Sequence, residues 1–145
     1  MTESLDRQLI ATLCRNGRAD IRDLAAETDA VPTTIQKRLR ALEESDTIGG
    51  YTARINYDAI GYETVIFQLD VDLDVIDDVT ERLREMEAFV TVYETSGDSS
   101  IFAIGNFKTT SAIAACLHTL HESPDIGVIT TNAVTSTLLE GDCPL

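Results

Sequence analysis

The chain has 145 residues, enough for one domain or for two small ones, each with a thin core. Its composition, 43% hydrophobic and 25% charged, is that of an ordinary folded protein and excludes the apolar-poor class of disordered chains. The formal net charge of -14, taken as a total, argues against a nucleic-acid partner, because phosphate binding needs local positive potential.

Three short helices are predicted in the first fifty residues. The first has apolar residues at helical spacing between Leu5 and Leu13, with Ser4 as its N-cap and an end at Asn16-Gly17. Asp20 is the predicted N-cap of the second helix, which ends near residue 29. Pro32 opens the third helix, where its missing N-H costs nothing. The inward positions of this third helix are Ile35, Leu39 and Leu42.

A glycine-rich segment separates these helices from the rest of the chain. Residues 49–62 begin with two glycines, followed by a short extended stretch around Tyr51, Ala53 and Ile55. This pattern predicts a strand or arm and then a hinge. The predicted organisation is a helix-turn-helix domain over 1–50, a strand and hinge linker over 51–62, and a second domain over 63–145.

The second domain begins with a period of two, because apolar residues alternate from Val65 to Leu73 and predict a half-buried strand. The later elements are predicted as a helix marked by Val75 to Met86, strands over Phe89 to Thr95 and Ile101 to Phe107, a helix marked by Ile113 to Leu120, and a last strand over Ile126 to Leu138. This βαββαβ order predicts an α+β, ferredoxin-like fold with both helices on one sheet face. The other face, with Ile66 and Phe102, is then available to a second copy of the chain.

Acidic residues are concentrated in the second half. Residues 1–50 hold 7 Lys+Arg and 9 Asp+Glu, a net charge of -2, which leaves 4 and 16, a net charge of -12, for residues 51–145. Only Lys37 and Lys108 are lysines. This surface resembles that of proteins from extreme halophiles, and the alternative interpretation is an ordinary acidic surface.

The third helix is the local exception to this acidity. Residues 30–42 contain no acid and hold three basic residues. A basic amphipathic helix after two short ones is the pattern of a three-helix (winged) helix-turn-helix, which binds double-stranded DNA. The alternative interpretation is a solvated amphipathic helix. Base readout is predicted for Thr33, Thr34, Gln36 and Lys37, and phosphate contacts for Arg38 and Arg40.

Other site classes find little support in the sequence. No apolar run is long enough for a membrane span and no signal peptide is evident, so a cytoplasmic protein without a membrane partner is expected. The cysteines Cys14, Cys116 and Cys143 are far apart and have no CxxC spacing, so no metal site is expected. No catalytic motif or cofactor-binding loop is found. We therefore expect no enzyme activity and no cofactor.

Residues 5–56 resemble the DNA-binding half of the Lrp/AsnC, or feast-famine, transcription regulators. The matching positions are Leu5-Asp6, Asn16-Gly17-Arg18, Leu24-Ala25, Pro32-Thr33, Arg38-Leu39, Leu42-Glu43, Ile48 and Gly50-Tyr51. The resemblance covers essentially the whole chain, because the family's second half is a βαββαβ ligand-sensing domain. It implies a homodimer, which can assemble into larger rings such as an octamer, binds DNA through paired helix-turn-helix units and responds to an amino acid.

The resemblance also implies an effector site near the turn between the second and third strands. That turn usually resembles Gly-Asp-Tyr-Asp, and here it is Gly97, Asp98, Ser99 and Ser100. Gly97 would allow close backbone approach and Asp98 would accept a hydrogen bond from a ligand ammonium group. The two serines depart from the family pattern and leave the usual amino-acid specificity in question. The alternative interpretation is an ordinary hairpin turn.

A second departure from the family pattern lies at the start of the third helix. Val31 stands where the family commonly has a serine N-cap. Valine cannot accept the free N-H groups, which predicts a helix start weaker by about 1 kcal/mol. Thr33, Thr34 or a DNA phosphate would compensate in part.

Two alternative functions follow from the same architecture. Siroheme decarboxylase subunits resemble this family, and an enzyme of that type would use basic or histidine side chains around a tetrapyrrole. His118 and His121 are the only histidines and are expected to face solvent on a helix. The third candidate is a metabolite-binding or oligomerisation module without DNA binding.

Overall fold

The computed structural model describes residues 2–97 and 100–145. They fall into two compact units, one formed by residues 1–55 and 138–145 and the other by residues 56–137. The helices are α1 (Thr2–Arg15), α2 (Ile21–Glu27), α3 (Pro32–Glu44), α4 (Ile76–Glu85) and α5 (Thr110–His121), and the strands are β1 (Glu63–Val71), β2 (Phe89–Glu94), β3 (Ile101–Phe107) and β4 (Ile126–Ala133). A short 3-10 helix, Asp58–Ile60, precedes β1.

The first unit is a three-helix bundle around a small apolar core. The buried side chains of that core are Leu9 from α1, Leu24 from α2, and Ile35 and Leu42 from α3. Asp20 is the N-cap of α2, as predicted, and it forms a capping box with Asp23. The prediction for α1 was wrong at its start. The helix already begins at Thr2, so Ser4 lies within it instead of capping it.

The second unit is a four-stranded antiparallel sheet with the order β2-β3-β1-β4. With α4 after β1 and α5 after β3, the chain follows the predicted βαββαβ order. The predicted alternation is confirmed for Val65, Phe67, Leu69 and Val71, which are all buried. It is wrong for Leu73, which lies beyond the end of β1 and is 84% exposed. The four buried residues pack with buried residues of α4 and α5 in one cluster, so both helices cover the same sheet face.

Three phenylalanines form the centre of this covered face. The ring centroids of Phe67 and Phe89 are 5.2 Å apart, and those of Phe67 and Phe107 are 5.9 Å apart. Gly105 leaves space for the ring of Phe107, because a Cβ at this glycine would lie 2.7 Å from Phe107 Cε2. A side chain at residue 105 would therefore displace the aromatic cluster.

The opposite sheet face carries half-buried and exposed residues. Ile66 is paired in register with Ile104, and Gln68 with Phe102. The ring of Phe102 stacks on exposed Tyr93, with centroids 6.4 Å apart. We call Ile66, Phe102, Ile104 and Tyr93 the open sheet face.

The structure distinguishes the two alternatives for residues 51–56 and shortens the last predicted strand. Residues 51–56 pair with no strand in the described part of the chain. The last strand ends at Ala133 and not at Leu138. Its only partner among the described residues is β1, and this pairing ends with Val65 opposite Ala133 and one further bond from Val134 N-H to the Thr64 carbonyl.

Candidate DNA-binding surface and ligand-binding turn

The helix-turn-helix is built from α2, a four-residue turn and α3. At the end of α2 the buried Thr28 hydroxyl donates to the Leu24 carbonyl at 2.8 Å, which closes the helix. The backbone then extends through Val31, the N-cap of α3, with φ -78° and ψ 153°. Val31 makes no side-chain cap bond, so the departure seen in the sequence leaves the first N-H groups of α3 without a side-chain partner.

Five of the six predicted DNA-contacting residues share one exposed side of α3. At 100° per residue they span less than half of the helix circumference, on the side opposite the buried Ile35 and Leu42. We call them the reading face: Thr33, Thr34, Gln36, Lys37 and Arg40. Within the described residues, Lys37 and Arg40 take part in no ion pair. Their charges are therefore free to act on an external anion.

Arg38 differs from the prediction that its side chain reaches outward to a phosphate. Its Nε donates to Asp6 Oδ1 at 3.0 Å and its Nη2 donates to Asp6 Oδ2 at 2.8 Å. This two-point contact ties α3 to α1 and leaves only 29% of the Arg38 side chain exposed. The hydrogen bonds from Arg38 hold the pKa of Asp6 below its ordinary value. Arg38 thus positions α3 through Asp6.

Nothing in the sequence pattern indicates the contact between Arg38 and Asp6. The two residues are 32 positions apart, a separation that helical periodicity cannot relate. Both belong to motifs that carry the family resemblance, but matching motifs do not say which residues touch. Asp6 is therefore a positioning residue that the sequence prediction missed.

The C-terminal end of α3 is acidic and connects to the segment that follows. Glu43, Glu44 and Asp46 lie there, in contrast to the acid-free reading face. The Tyr51 hydroxyl donates to Glu43 Oε2 at 3.0 Å. Partial burial and this hydrogen bond raise the pKa of Tyr51. The positive potential of α3 is therefore confined to its first two and a half turns.

The predicted effector turn lies between β2 and β3 and is described only in part. Asp98 and Ser99 lie outside the described residues. Gly97 is exposed with a φ of +136°, a backbone conformation that favours glycine. A side chain there would be strained whatever the available space, so the turn itself requires this glycine.

Ser100 has a structural contact that the prediction did not include. Its hydroxyl donates to the Val71 carbonyl at 2.6 Å and accepts from the Val71 N-H at 3.1 Å. Its own N-H donates to the Leu69 carbonyl at 2.9 Å. The side chain predicted to contact an effector thus fastens the start of β3 to the end of β1.

Both histidines lie on the exposed side of α5. His118 is close to Glu122, with Nε2 3.1 Å from Oε1, and His121 is one turn from His118. Among the described residues no group of three potential metal ligands is found. In the same part of the chain, no helix is long and apolar enough to cross a bilayer.

Both units of the chain are similar to known protein families. A family model described as winged helix-turn-helix DNA-binding matches residues 3–48, and one described as the Lrp/AsnC ligand binding domain matches residues 64–142. The chain is 33% identical over 105 residues to the HTH-type transcriptional regulator LrpA of Pyrococcus horikoshii, covering 72% of this chain and 74% of that protein.

Solved structures match nearly the whole chain. One is the feast or famine regulatory protein from Mycobacterium tuberculosis complexed with L-methionine, with a TM-score of 0.85, 24% identity, and coverage of 96% of this chain and 95% of that one. Another is AsnC of E. coli, with a TM-score of 0.81, 20% identity, and coverage of 94% and 93%. These likenesses concern the fold.

Proposed function

Because the chain belongs to the Lrp/AsnC family of helix-turn-helix transcription regulators, we propose that its reading face binds a specific operator in double-stranded DNA. Its relatives are named as transcriptional regulators, and the chain is a regulator and not an enzyme. Binding to the chromosome would place its action in the cytoplasm.

The observation that carries this proposal is the unpaired positive charge on an acid-free helix surface. Lys37 and Arg40 are exposed and make no ion pair within the described residues, although the chain as a whole is strongly acidic. Thr33, Thr34 and Gln36 lie beside them, near the start of α3, where a recognition helix meets base edges. The basic residues would supply affinity and the polar residues would supply specificity.

The experiment is to select DNA from a random-sequence pool and then titrate the selected duplex against variants. Lys37→Ala with Arg40→Ala should reduce affinity at least about tenfold and lower the slope of log affinity against log salt by about one for each phosphate that the variant no longer neutralises. The matched control is Arg84→Ala, since Arg84 is exposed in the second unit and its one ion pair among the described residues is with Glu81. Equal affinity in parent and double variant would refute the assignment.

We further propose that the second unit binds a small effector, by chemistry an amino acid, at the turn between β2 and β3. Support comes from the ligand-binding family model and from the L-methionine in a structure of the same fold. The proposed residues are Gly97, Asp98, Ser99 and Ser100. Since the Ser100 hydroxyl is engaged by Val71, its part is to shape the turn, and Asp98 is the proposed partner of the ligand ammonium.

A thermal-shift screen of the twenty amino acids tests the effector proposal, because a ligand that binds only the native state raises the unfolding midpoint. The shift should disappear in Asp98→Ala and persist in Asp74→Ala, which removes an exposed acid from a different turn. An unchanged shift in Asp98→Ala would place the ligand elsewhere.

We also propose that the chain forms a homodimer, which can assemble further into a ring such as an octamer. The open sheet face supports this, because it leaves large apolar side chains half exposed. Sedimentation of Phe102→Glu should show loss of the assembly, whereas Val90→Glu, at an exposed position of β2 outside this face, should leave it intact. An assembly unchanged by Phe102→Glu would exclude this face.

The acidic surface leads to a proposal on the working environment of the protein. Its charge of -14 and its two lysines support a halophilic origin, in which carboxylates hold hydrated cations at molar salt. Under those conditions counterion release contributes little to DNA binding, and shape and base contacts must contribute more. Affinity measured from low to multimolar KCl tests this, and a steep continuous loss of affinity would contradict it.

A further inference from the structure

The C-terminal segment belongs to the same compact unit as the helix-turn-helix. Residues 138–145 group with residues 1–55. A Cβ placed on Gly141 would lie 3.9 Å from Arg54 Nε. Leu145 lines a shallow depression of about 530 Å³ together with Glu3, Ser4, Arg7, Gln8 and Ala11 of α1. The segment therefore runs alongside α1, with no strand or helix of its own.

This course brings two cysteines of the first unit together. Cys14 is in the last turn of α1 and is exposed, and Cys143 is half-buried in the C-terminal segment. The Cys14 thiol is the neighbour that acts most strongly on Cys143, and Cys143 is the neighbour that acts most strongly on Cys14, which places the two sulfur atoms close together. Both cysteines also lie within the electrostatic reach of Arg15.

The surroundings make the two sulfurs chemically unequal. Hydrogen bonds from Cys14 and from the Leu145 backbone lower the pKa of Cys143, whereas the contact with Cys143 and partial burial raise the pKa of Cys14. A pair with one stabilised thiolate and one nearby thiol is the arrangement found where a cysteine is oxidised and then resolved by its neighbour.

We propose that Cys14 and Cys143 are a redox-sensitive pair that closes reversibly into an intramolecular disulfide when a hydroperoxide oxidises Cys143. The Cys143 thiolate attacks a peroxide oxygen, the O-O bond breaks, and a sulfenic acid and water form after proton transfer. The Cys14 sulfur then attacks the sulfenic sulfur, the S-S bond forms, and a second water leaves. In total two thiols and one hydrogen peroxide give one disulfide and two waters, and a dithiol reductant reverses the change.

Cys116 provides an internal control for this reaction. It is buried in the core of the second unit, where burial raises its pKa to about 11. A thiol in that position is protonated and shielded from solvent oxidants. We therefore expect hydrogen peroxide to consume two of the three thiols of the chain and to spare Cys116.

The test treats the purified full chain with hydrogen peroxide and titrates free thiols after unfolding. The expected result is a fall from three thiols to one, recovery with dithiothreitol, and migration as a single chain on a non-reducing gel. Peptide mass mapping should find the Cys14 peptide joined to the Cys143 peptide with the loss of two hydrogens. The oxidised form should also unfold at a higher temperature, because the cross-link restricts the unfolded chain.

Single variants separate this mechanism from unspecific oxidation. Cys14→Ser should trap Cys143 as a sulfenic acid that a 1,3-dicarbonyl reagent labels, whereas Cys143→Ser should leave Cys14 reduced. Cys116→Ala should still lose both remaining thiols. Peroxide-treated parent that keeps all three thiols, that links two chains through these cysteines, or that joins either cysteine to Cys116 would overturn the proposal.

Discussion

At the scale of single residues, the pairing of Arg38 with Asp6 separates the basic side chains of α3 into two kinds. Arg38 holds α3 against α1 through two hydrogen bonds, whereas Lys37 and Arg40 are exposed on the reading face. Substitutions of Arg38 should therefore act mainly on the stability of the first unit, and those of Lys37 and Arg40 on DNA affinity.

Arg38→Met should lower the free energy of unfolding, because it leaves the partly buried Asp6 carboxylate without its charged partner. Urea unfolding measures this loss. In an Asp6→Asn background the same substitution should cost much less, because its partner is already neutral. Equal costs in both backgrounds would show that the ion pair does not stabilise the fold.

The same contact predicts a pH dependence. The hydrogen bonds from Arg38 make the pKa of Asp6 lower in the folded than in the unfolded chain. Such a carboxyl adds stability above its unfolded pKa, near 4, and this contribution disappears as the pH falls through the folded pKa. The stability advantage of the parent over Asp6→Asn should thus be constant near neutrality and shrink below about pH 4. A constant difference down to the lowest measurable pH would contradict this.

Gly105 has a packing role that a single added methyl group can test. Gly105→Ala should destabilise the protein by about 1–3 kcal/mol, because the new Cβ would overlap the Phe107 ring and disturb its contacts with Phe67 and Phe89. Gly127→Ala is the matched control in β4, where a Cβ would meet its nearest neighbour at 3.6 Å. Chemical denaturation of both variants checks the difference, and equal stability would remove the steric argument.

At the scale of elements, periodicity alone predicted the helices and strands whose buried residues recur at regular spacing within one segment. The alternation of Val65, Phe67 and Leu69 and the helical spacing of α3 follow directly from burial on one side. The extended residues Tyr51, Ala53 and Ile55 show the same alternation but have no partner strand within the described chain. A strand needs a neighbour, and a one-dimensional pattern cannot supply that information.

Long-range contacts account for the rest of what the sequence could not predict. The bond from Ser100 to Val71 joins positions 29 residues apart, so a hydroxyl that was expected to bind a ligand is used by the backbone. The approach of Cys143 to Cys14 joins nearly opposite ends of the chain. By contrast, predicting the reading face required only the position of one helix and of its inward side. Its five residues are therefore exposed together, as predicted.

The start of α3 can be strengthened by one substitution. Val31 has the extended backbone of an N-cap, is 60% exposed, and makes no side-chain cap bond. Val31→Ser should raise the free energy of unfolding by about 0.5–2 kcal/mol, because the hydroxyl can accept a free N-H of the first turn. Asp20→Ala is the opposite control, since it removes the existing cap of α2 and should lower the free energy of unfolding. No gain from Val31→Ser in thermal unfolding would mean that solvent already satisfies these groups.

At the scale of the whole molecule, charge repulsion is expected to control stability. The second half carries a net charge of -12, and its carboxylates are spread over exposed turns and helix surfaces. Repulsion among surface charges falls when salt reduces the Debye length from about 10 Å at 0.1 M to about 3 Å at 1 M. The acidic surface therefore opposes folding most strongly at low ionic strength.

The thermal midpoint should accordingly rise between 0.1 M and multimolar KCl, as followed by circular dichroism. A variant with Asp72→Asn and Asp74→Asn, two exposed acids before α4, should be more stable at low salt and show a smaller rise. Loss of stability with added KCl would contradict both this prediction and the proposed halophilic origin.

The hydrogen bond between Tyr51 and Glu43 gives the molecule an intrinsic optical reporter. The chain contains four tyrosines and no tryptophan, and Tyr51 is the sole aromatic ring of residues 1–55 and 138–145. Because the Tyr51 hydroxyl is hydrogen-bonded to the Glu43 carboxylate at the end of α3, a movement of that end should change the Tyr51 fluorescence. With the tyrosines at positions 57, 62 and 93 replaced by phenylalanine, the fluorescence of the unlabelled protein would come from Tyr51. It would change if α3 moved when a DNA duplex binds.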